Sequence, residues 1–189
     1  MVSSNLNPLA RPYPTEYVSS WIMRDGTSVT IRPIRPDDEP LMVKFHSTLS
    51  DLTVYMRYFC SLGLALRTAH ERLVHICSSD YASEMVLVVE GKDPRTAERS
   101  IMAVGRVNRL KSDGEAEAAL LVADPYQGLG LGTELLHRLL EIARKEGIRR
   151  VVAEMLRDNL AVQATFKKVG FQLCSIDQDL NEVHATLDL

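Results

Sequence analysis

Apolar and polar residues follow a strand period in some segments of this chain and a helical period in others, and strand patterns predominate from Met85 onward. After Met85, apolar runs of strand length are separated by turn residues and by two segments whose apolar residues recur every third or fourth position. Before Met85, a hairpin pattern precedes three helical segments. The chain therefore predicts the element order β-α-α-α, three strands, α, β, α, β, β.

The first half carries start and turn signals. Arg24-Asp25-Gly26-Thr27 separates the predicted strands 21–23 and 28–34, because Asp-Gly suits the positive φ angles of tight turns. The first helix follows an acidic run that favours its positive end. A second helix is predicted over 52–59, and a third opens at a capping box, Thr68-Ala69-His70-Glu71. Residues of the first and third helices expected to face inward are Leu41, Phe45, Leu49, Leu73, Val74, Ile76 and Cys77.

The second half predicts most of a sheet. We expect strands over 85–89, 101–110, 115–123, 151–155, 171–176 and 183–188, and helices over 133–145 and 159–169. Gly91-Lys92-Asp93-Pro94 supplies a turn, and Gly147 and Gly170 end the two helices. Helices and strands alternate only in this half, so an α/β (α+β) fold with a mixed sheet is expected.

Length and composition narrow the class of protein. The 189 residues suit one domain, and 46% apolar and 25% charged residues are ordinary for a globular protein. The net charge of −3 comes from intermixed acidic and basic residues, which argues against a nucleic-acid partner. No apolar run approaches the roughly 20 residues that span a bilayer. With no signal-peptide pattern at the start, a cytoplasmic location without membrane contact is expected.

Domain organisation and metal binding follow from two further patterns. Residues 1–24 contain three prolines and no sustained period, so we expect an N-terminal arm before a single domain over 25–189. The cysteines, Cys60, Cys77 and Cys174, are odd in number and form no CxxC pair, and the five histidines show no ligand spacing. Neither a disulfide framework nor a metal site is therefore expected, and the histidines are predicted to be exposed or half-buried.

A glycine-rich loop is the most informative motif. Gln127-Gly128-Leu129-Gly130-Leu131-Gly132-Thr133 lies between a predicted strand and a strongly patterned helix. Glycines at alternate positions let the backbone turn sharply and approach a ligand closely. Their amides, together with the free N–H groups and dipole of the helix N-terminus, form an anion site suited to a pyrophosphate.

Glycine-rich loops also occur in two classes of nucleotide-binding protein and in simple tight turns. A nucleotide triphosphatase P-loop is disfavoured because no Gly-Lys-Ser/Thr follows. A dinucleotide fingerprint finds an acidic residue near the required spacing at Glu154, but the loop comes after two-thirds of the chain, which leaves too little room for a doubly wound sheet. The sequence pattern alone also allows a third interpretation, in which the glycines only form a tight turn and bind no ligand.

The loop and the block after it resemble the GNAT family of N-acetyltransferases. Residues 127–132 match that family's Gln/Arg-x-x-Gly-x-Gly/Ala motif, and Asp158-Asn159-Leu160-Ala161 through Gly170-Phe171 is similar to its next signature block. The resemblance covers roughly residues 27–188. It implies a mixed, mostly antiparallel sheet flanked by helices, with splayed strands forming a cleft for acetyl-CoA, and no metal.

A narrower resemblance concerns residues 11–40. Arg11-Pro12-Tyr13-Pro14, Trp21, Asp25-Gly26 and Ile31-Arg32-Pro33-Ile34-Arg35-Pro36-Asp37-Asp38-Glu39-Pro40 look like the acetyltransferase domain of bacterial Pat-type protein lysine acetyltransferases. This resemblance implies that the acceptor is an exposed lysine of another protein, such as an acyl-CoA synthetase. We expect a monomer or a weak homodimer.

The resemblance also implies positions for the cofactor. The backbone of Gln127, Gly128, Leu129, Gly130, Leu131, Gly132 and Thr133 would hold the pyrophosphate. The main chain near Leu121 and Val122 would bind the pantetheine arm. Asn159 would contact that arm, and Phe166 would pack near its end. Many family members carry Tyr where Phe166 stands, as a general acid toward the departing thiolate. Phe cannot donate a proton, so no general acid is assigned.

Glu117 is the candidate general base. A lysine amine has a pKa near 10.4, so only about one in 2,500 is neutral at pH 7. Strand alternation places Glu117 on one face with Glu115, Ala119 and Leu121. The Ala-Glu-x-Ala pattern around it also resembles Pat-type enzymes at their basic glutamate. Glu115, nearer the Asp113-Gly114 turn, is the second choice, and a solvated strand residue is the plain alternative.

Two other functions remain open from the sequence. One is acetylation of a small amine, an amino acid or an antibiotic, and the other is a non-catalytic acyl-CoA-sensing module. Tyr55, Tyr58 and Phe59 are expected to pack the second helix against the core, with a substrate role as the alternative. Arg32 and Arg35 are expected at a solvated strand end or facing an acidic substrate patch.

Overall fold

A computed structural model describes residues 12–93, 96–174 and 181–189 of the protein. Its strands are β1 (Ser19–Ile22), β2 (Ser28–Pro33), β3 (Glu84–Lys92), β4 (Arg99–Arg109), β5 (Glu115–Val122), β6 (Arg150–Leu156), β7 (Gln172–Cys174) and β8 (Glu182–Asp188). Its α-helices are α1 (Glu39–Ser47), α2 (Asp51–Tyr58), α3 (Leu64–Arg67), α4 (His70–Cys77), α5 (Leu131–Lys145) and α6 (Leu160–Val169). Short 3₁₀ turns cover Thr15–Tyr17, Pro36–Asp38 and Asp124–Tyr126.

All of these strands form one sheet in the order β1-β2-β3-β4-β5-β6-β8-β7. Neighbouring strands are antiparallel except β5 and β6, which run parallel. The mixed, mostly antiparallel sheet is therefore confirmed. The sheet begins at Ser19, inside the segment 1–24 that was expected to be an arm, because β1 pairs with β2 across the predicted Asp25-Gly26 hairpin.

The two faces of the sheet are covered by different helices. On one face α5 packs its buried leucines, Leu135, Leu136, Leu139 and Leu140, against β3, β4 and β5. On the other face α1 and α4 cover the opposite side chains of β3 and β4, with Phe45 and Leu73 almost fully buried. Because side chains alternate along a strand, the apolar residues of each strand are divided between these two cores. The sheet is therefore the middle layer of three, with helices on both faces.

The functionally important feature is the separation of β5 from β6. Their parallel pairing is limited to Glu115–Arg150, Ala116–Val151 and Glu117–Val152. Beyond Glu117 the two strands part, while β4 continues to pair with β5 as far as Val122. A cleft opens where the sixth strand would have continued the ladder.

Several local predictions are corrected by the structure. The capping box at Thr68 does not form, because α4 starts after Ala69 and the Thr68 hydroxyl donates to the Leu64 carbonyl instead. Val74 is exposed rather than inward, since α4 is a two-turn helix whose buried side is limited to Leu73 and Cys77. Four-residue α3 was not predicted. The predicted strand end at 175–176 and the turn residue Pro94 lie outside the described residues.

Two polar residues expected at the surface are buried. Arg32 is 2% exposed, because its guanidinium forms a bidentate ion pair with Asp38 and reaches Glu90. It is therefore neither at a solvated strand end nor available to a substrate patch. His46 is 1% exposed, because α3 and α4 close over the side of α1 that carries it.

In the described parts of the chain, no helix has the length and apolar content needed to cross a bilayer. The same described residues contain no group of three or more His, Cys, Asp or Glu side chains arranged to hold a metal ion.

Candidate functional site

The gap between β5 and β6 is the centre of a cleft of about 680 Å³. Its walls come from β5, β6, α2, α6 and the loop that leads into α5. Of the residues predicted to form the site, those that line it are Glu117, Leu121, Val122, Gln127, Gly128, Gly130, Leu131, Gly132, Thr133, Asn159 and Phe166. The structure thus gathers in one cavity residues that lie up to 49 positions apart, from Glu117 to Phe166.

The glycine loop has the backbone conformation that its sequence predicts. Gly128 and Gly130 have φ angles of 77° and 93°, which side chains other than glycine rarely adopt. Gly130 is the N-cap of α5, and its carbonyl accepts from the Glu134 amide. The amides of Leu131, Gly132 and Thr133 therefore precede the helix's own hydrogen-bond ladder. These orphan donors, with the helix dipole, form an anion site at the cleft wall.

The β1–β2 hairpin supports this loop from behind. The Arg24 amide donates to the Leu129 carbonyl at 3.3 Å, and its guanidinium Nη1 donates to the Gly128 carbonyl at 3.2 Å. Leu129, the predicted loop residue outside the cleft lining, packs its side chain against the α5-side core instead. Arg24 lines the cleft and was missed by the sequence interpretation, which assigned it only to a turn.

Main-chain groups of β5 also face the gap. The Ala123 amide donates to the Met102 carbonyl and the Leu110 amide donates to the Glu115 carbonyl. These two bonds show which residues of β5 form hydrogen-bonded pairs with β4. By the alternation of an antiparallel pair, Leu121 turns its main chain to β4, while Leu120 and Val122 turn theirs toward the gap. The Val122 carbonyl there accepts from the Gln127 side-chain amide at 3.2 Å.

The wall opposite β5 belongs to α6. Asn159 caps this helix, since its side-chain oxygen accepts from the Val162 amide at 3.3 Å. Phe166 is 1% exposed and packs edge-to-face on Phe171, with ring centroids 4.8 Å apart. The two residues therefore shape the cleft wall, and each also has a structural role in holding α6.

Glu117 lies at the point where β5 and β6 part. It is the last β5 residue paired with β6, it is half-buried, and it lines the cleft. On the same face of the sheet, Asn108 lies directly opposite it and Arg106 is its diagonal neighbour on β4. Glu115 lies outside the cleft lining, where it accepts from the Ser112 hydroxyl at 2.6 Å and lies 3.9 Å from Arg150.

A cluster of arginines accompanies Glu117. Arg57 of α2 lines the cleft, and its guanidinium lies 5.3 Å from the Tyr58 ring centroid. Arg72 of α4 faces the same ring at 5.1 Å. Burial and repulsion from Arg106 lower the pKa of Arg57, and attraction to Tyr58 and Glu117 only partly offsets them. Arg57 carried no sequence signal, because its charged neighbours in space come from three other elements, β4, β5 and α4.

Comparisons with known proteins agree with this architecture. A family model described as an acetyltransferase (GNAT) domain matches residues 28–172. Acetyltransferase PA5475 of Pseudomonas aeruginosa is 29% identical over 80% of this chain and 80% of its own length. Acetyltransferase Pat of Mycolicibacterium smegmatis is 30% identical over 88% of this chain, but this chain covers only 47% of that protein.

A solved structure of the GNAT domain of S. lividans PAT superposes with a TM-score of 0.83 at 28% identity, covering 94% of this chain and all of that one. The fold that the sequence resemblance implied is confirmed by this likeness. The chain belongs to the GNAT family and is an acetyltransferase that uses acetyl-CoA as its acetyl donor.

Proposed function

We propose that this acetyltransferase transfers the acetyl group to a lysine side-chain amine of another protein, with Glu117 as general base. The observation that carries the proposal is the position of Glu117, half-buried at the point where β5 and β6 separate and on the wall of the cleft. The likeness of the chain to Pat and to the GNAT domain of PAT supports a protein acceptor.

The loop residues fit the pyrophosphate of acetyl-CoA. Orphan amides at the start of α5 supply donors, and a Cβ at Gly128 would meet no atom within 4 Å, so the loop surface there is open. The bound cofactor supplies a thioester whose carbonyl an amine can attack. Amides of Leu120 and Val122 on the free edge of β5 would orient its arm, with Asn159 and Phe166 on the facing wall.

Deprotonation of the acceptor is the step assigned to the protein. Converting a lysine ammonium to the neutral amine at pH 7 costs about 4.6 kcal/mol. A carboxylate within hydrogen-bond reach of the amine can take this proton as attack begins. We call the part of the cleft formed by Glu117, Arg57 and Tyr58 the acceptor half, because β5 runs from Glu117 to Val122 and the glycine loop contacts its far end through the bond from Gln127 to the Val122 carbonyl.

To test the proposal, the purified protein is incubated with acetyl-CoA and a bacterial acyl-CoA synthetase. The release of the CoA thiol is measured over time, and acetylated lysines are identified by mass spectrometry. Glu117→Gln should lower kcat by about 10²- to 10⁴-fold, the usual contribution of a general base. Glu115→Gln is the matched control on the same strand face and should retain activity. Acetyl-CoA turnover with small amines alone would contradict the protein acceptor, and an unimpaired Glu117→Gln would contradict the base.

A further inference from the structure

Three arginines have no carboxylate partner among the described residues: Arg57 in the acceptor half, Arg72 against the Tyr58 ring, and Arg67, which lies with Arg72 near His46. Arg57 and Arg72 contact the Tyr58 ring but form no ion pair, and Arg67, which is 4% exposed, likewise has none. By contrast, Arg106 lies 3.5 Å from Glu84. The Glu117 carboxylate attracts the charge of Arg57 and so raises its pKa, against the larger effects that lower it. Glu117, Glu154 and Asp158 also line the cleft, but none of these carboxylates forms an ion pair with Arg57 among the described residues.

Hydrogen bonding at these arginines is incomplete as well. Within the described ranges, Nε and Nη1 of Arg67 and Nε of Arg72 are buried without a hydrogen-bond partner. A guanidinium removed from water without an acceptor is costly, and the cost falls when an anion receives its N–H groups. The charged form of Arg57 is disfavoured for a different reason, because burial and then repulsion from Arg106 and Arg72 lower its pKa.

We propose that the acceptor half binds a carboxylate that the acceptor carries close to its reactive amine, with Arg57 as the partner of that carboxylate. The inference rests on the proposed entry of the amine beside Glu117. Arg57 is the cluster member that lines the cleft and is within reach of a ligand there. A guanidinium can donate two parallel hydrogen bonds to a carboxylate, which fixes orientation as well as charge.

The cluster also selects against the opposite kind of acceptor. A lysine flanked by basic residues would bring further positive charge to Arg57, Arg72 and Arg106, which repel it. A lysine with a neighbouring Asp or Glu, or a free amino acid with its α-carboxylate, presents a carboxylate that can pair directly with Arg57. The shared chemistry is an amine with a nearby carboxylate, and the two sources can be separated experimentally.

The experiment compares matched acceptors. Three peptides differ only beside a central lysine, which is flanked by Glu, by Gln or by Arg, and a second set pairs free amino acids with their carboxamides. Specificity constants and peptide affinities, the latter by fluorescence anisotropy in the presence of CoA, are measured for wild type, Arg57→Gln, Arg57→Lys and the control Arg144→Gln. Arg144 is exposed in the last turn of α5 and lies outside the cleft lining.

Wild type should prefer the Glu peptide over the Gln peptide by about tenfold or more, as expected for a hydrogen bond between charged groups. Arg57→Gln should bring this ratio close to one, Arg57→Lys should keep part of it, and Arg144→Gln should keep all of it. Acetyl-CoA affinity, measured for every variant, identifies any that fail to fold. A wild type without preference, or an Arg57→Gln variant that retains it, overturns the proposal.

The outcomes separate this inference from the proposed function. Acetylation of protein lysines irrespective of acidic neighbours would leave the protein acceptor in place and overturn the carboxylate site. Discrimination between amino acids and their carboxamides, with no peptide or protein acetylated, would support the carboxylate site and overturn the protein acceptor. Absence of discrimination in both sets, in turnover and in binding, overturns the carboxylate site.

Discussion

Asp124 and Ser50 join the two sides of the cleft through a pair of hydrogen bonds. The Ser50 hydroxyl donates to Oδ1 of Asp124 at 2.6 Å, and the Ser50 amide donates to Oδ2 at 3.0 Å. Ser50 is the N-cap of α2, the helix whose last turn carries Arg57 and Tyr58 of the acceptor half, while Asp124 begins the turn that leads into the glycine loop. The Thr53 hydroxyl adds a third bond to Oδ1 at 2.9 Å. The carboxylate therefore fixes the distance between helix and loop.

Asp124→Asn should raise the KM for acetyl-CoA and for the acceptor together, because one change loosens both sides of the cleft. An amide offers one acceptor oxygen where the carboxylate uses two, so the free energy of unfolding should also fall by about 1–3 kcal/mol. Steady-state kinetics and urea denaturation measure the two effects. Asp51→Asn, an exposed neighbour in the first turn of α2, is the control. Lower stability with both KM values unchanged would show that the contact serves the fold alone.

The glycine loop predicts a second effect, at Gly130. Its φ of 93° disfavours any side chain, and an added Cβ would lie 3.3 Å from the Trp21 ring and 3.4 Å from Arg24. Gly130→Ala should therefore weaken acetyl-CoA binding by about tenfold or more, since the strain of about 1–2 kcal/mol falls on the binding loop itself. Isothermal titration calorimetry gives the dissociation constant.

Two further glycines serve as references for that experiment. Gly128→Ala meets no atom within 4 Å but shares a positive φ, so its effect should be smaller than that of Gly130→Ala. Gly63→Ala has neither constraint and should leave binding unchanged. Equal binding by all three variants would contradict the role assigned to the loop conformation.

The sequence predicted the elements that depend on local pattern. Apolar runs bounded by turn residues revealed β3 and β4, and alternation placed the side chains of β5 on its two faces. The glycine spacing revealed the loop and the leucine repeat revealed α5, because each pattern is contained in about 15 neighbouring residues or fewer. Four-residue α3 is too short to show a helical period, so it went unnoticed. Helices and strands could thus be predicted wherever the buried side of one element gives a regular pattern in the sequence.

The parts that failed depend on contacts between distant residues. Arg24 reaches Gly128 across 104 positions, and Arg57 acquires its character from residues of β4, β5 and α4. Alternation placed Arg32 on the correct strand but could not reveal that Asp38 and Glu90 would bury it as an ion pair. Charge pairing of this kind follows from the assembled fold, so periodicity alone could not have predicted it.

The Arg32–Asp38 pair predicts a large loss of stability on substitution. Both side chains are 2% exposed, and two hydrogen bonds of 2.6 and 2.7 Å join them. Asp38→Asn removes one of the two carboxylates that the buried guanidinium contacts, so the free energy of unfolding should fall by about 3 kcal/mol. Glu98→Gln, which removes the exposed pair with Lys44, should cost less than about 1 kcal/mol. Urea denaturation compares the two, and similar losses would contradict the assignment.

His46 predicts how stability depends on pH. Burial, followed by repulsion from Arg72 and Arg67, lowers the pKa of His46 from 6.5 to about 4. His46 therefore becomes protonated near pH 6.5 in the unfolded chain but only near pH 4 in the folded protein. Stability should be highest above pH 6.5 and should fall by about 3 kcal/mol as pH decreases to 4. Glu90, whose pKa is lowered to about 2 by Arg99 and Arg32, contributes mainly below this window.

His46→Leu isolates this effect. Within the described residues, neither ring nitrogen of His46 has a hydrogen-bond partner, so an apolar side chain of similar size should be tolerated or slightly stabilising at pH 7. The free energy of unfolding of the variant should then rise relative to that of wild type as pH falls from 6.5 to 4, because leucine does not titrate. His137→Asn, at an exposed position of α5, should follow the wild-type curve. Urea denaturation at intervals of pH measures the difference, and parallel curves for wild type and His46→Leu would show that the imidazole titrates normally in the folded protein.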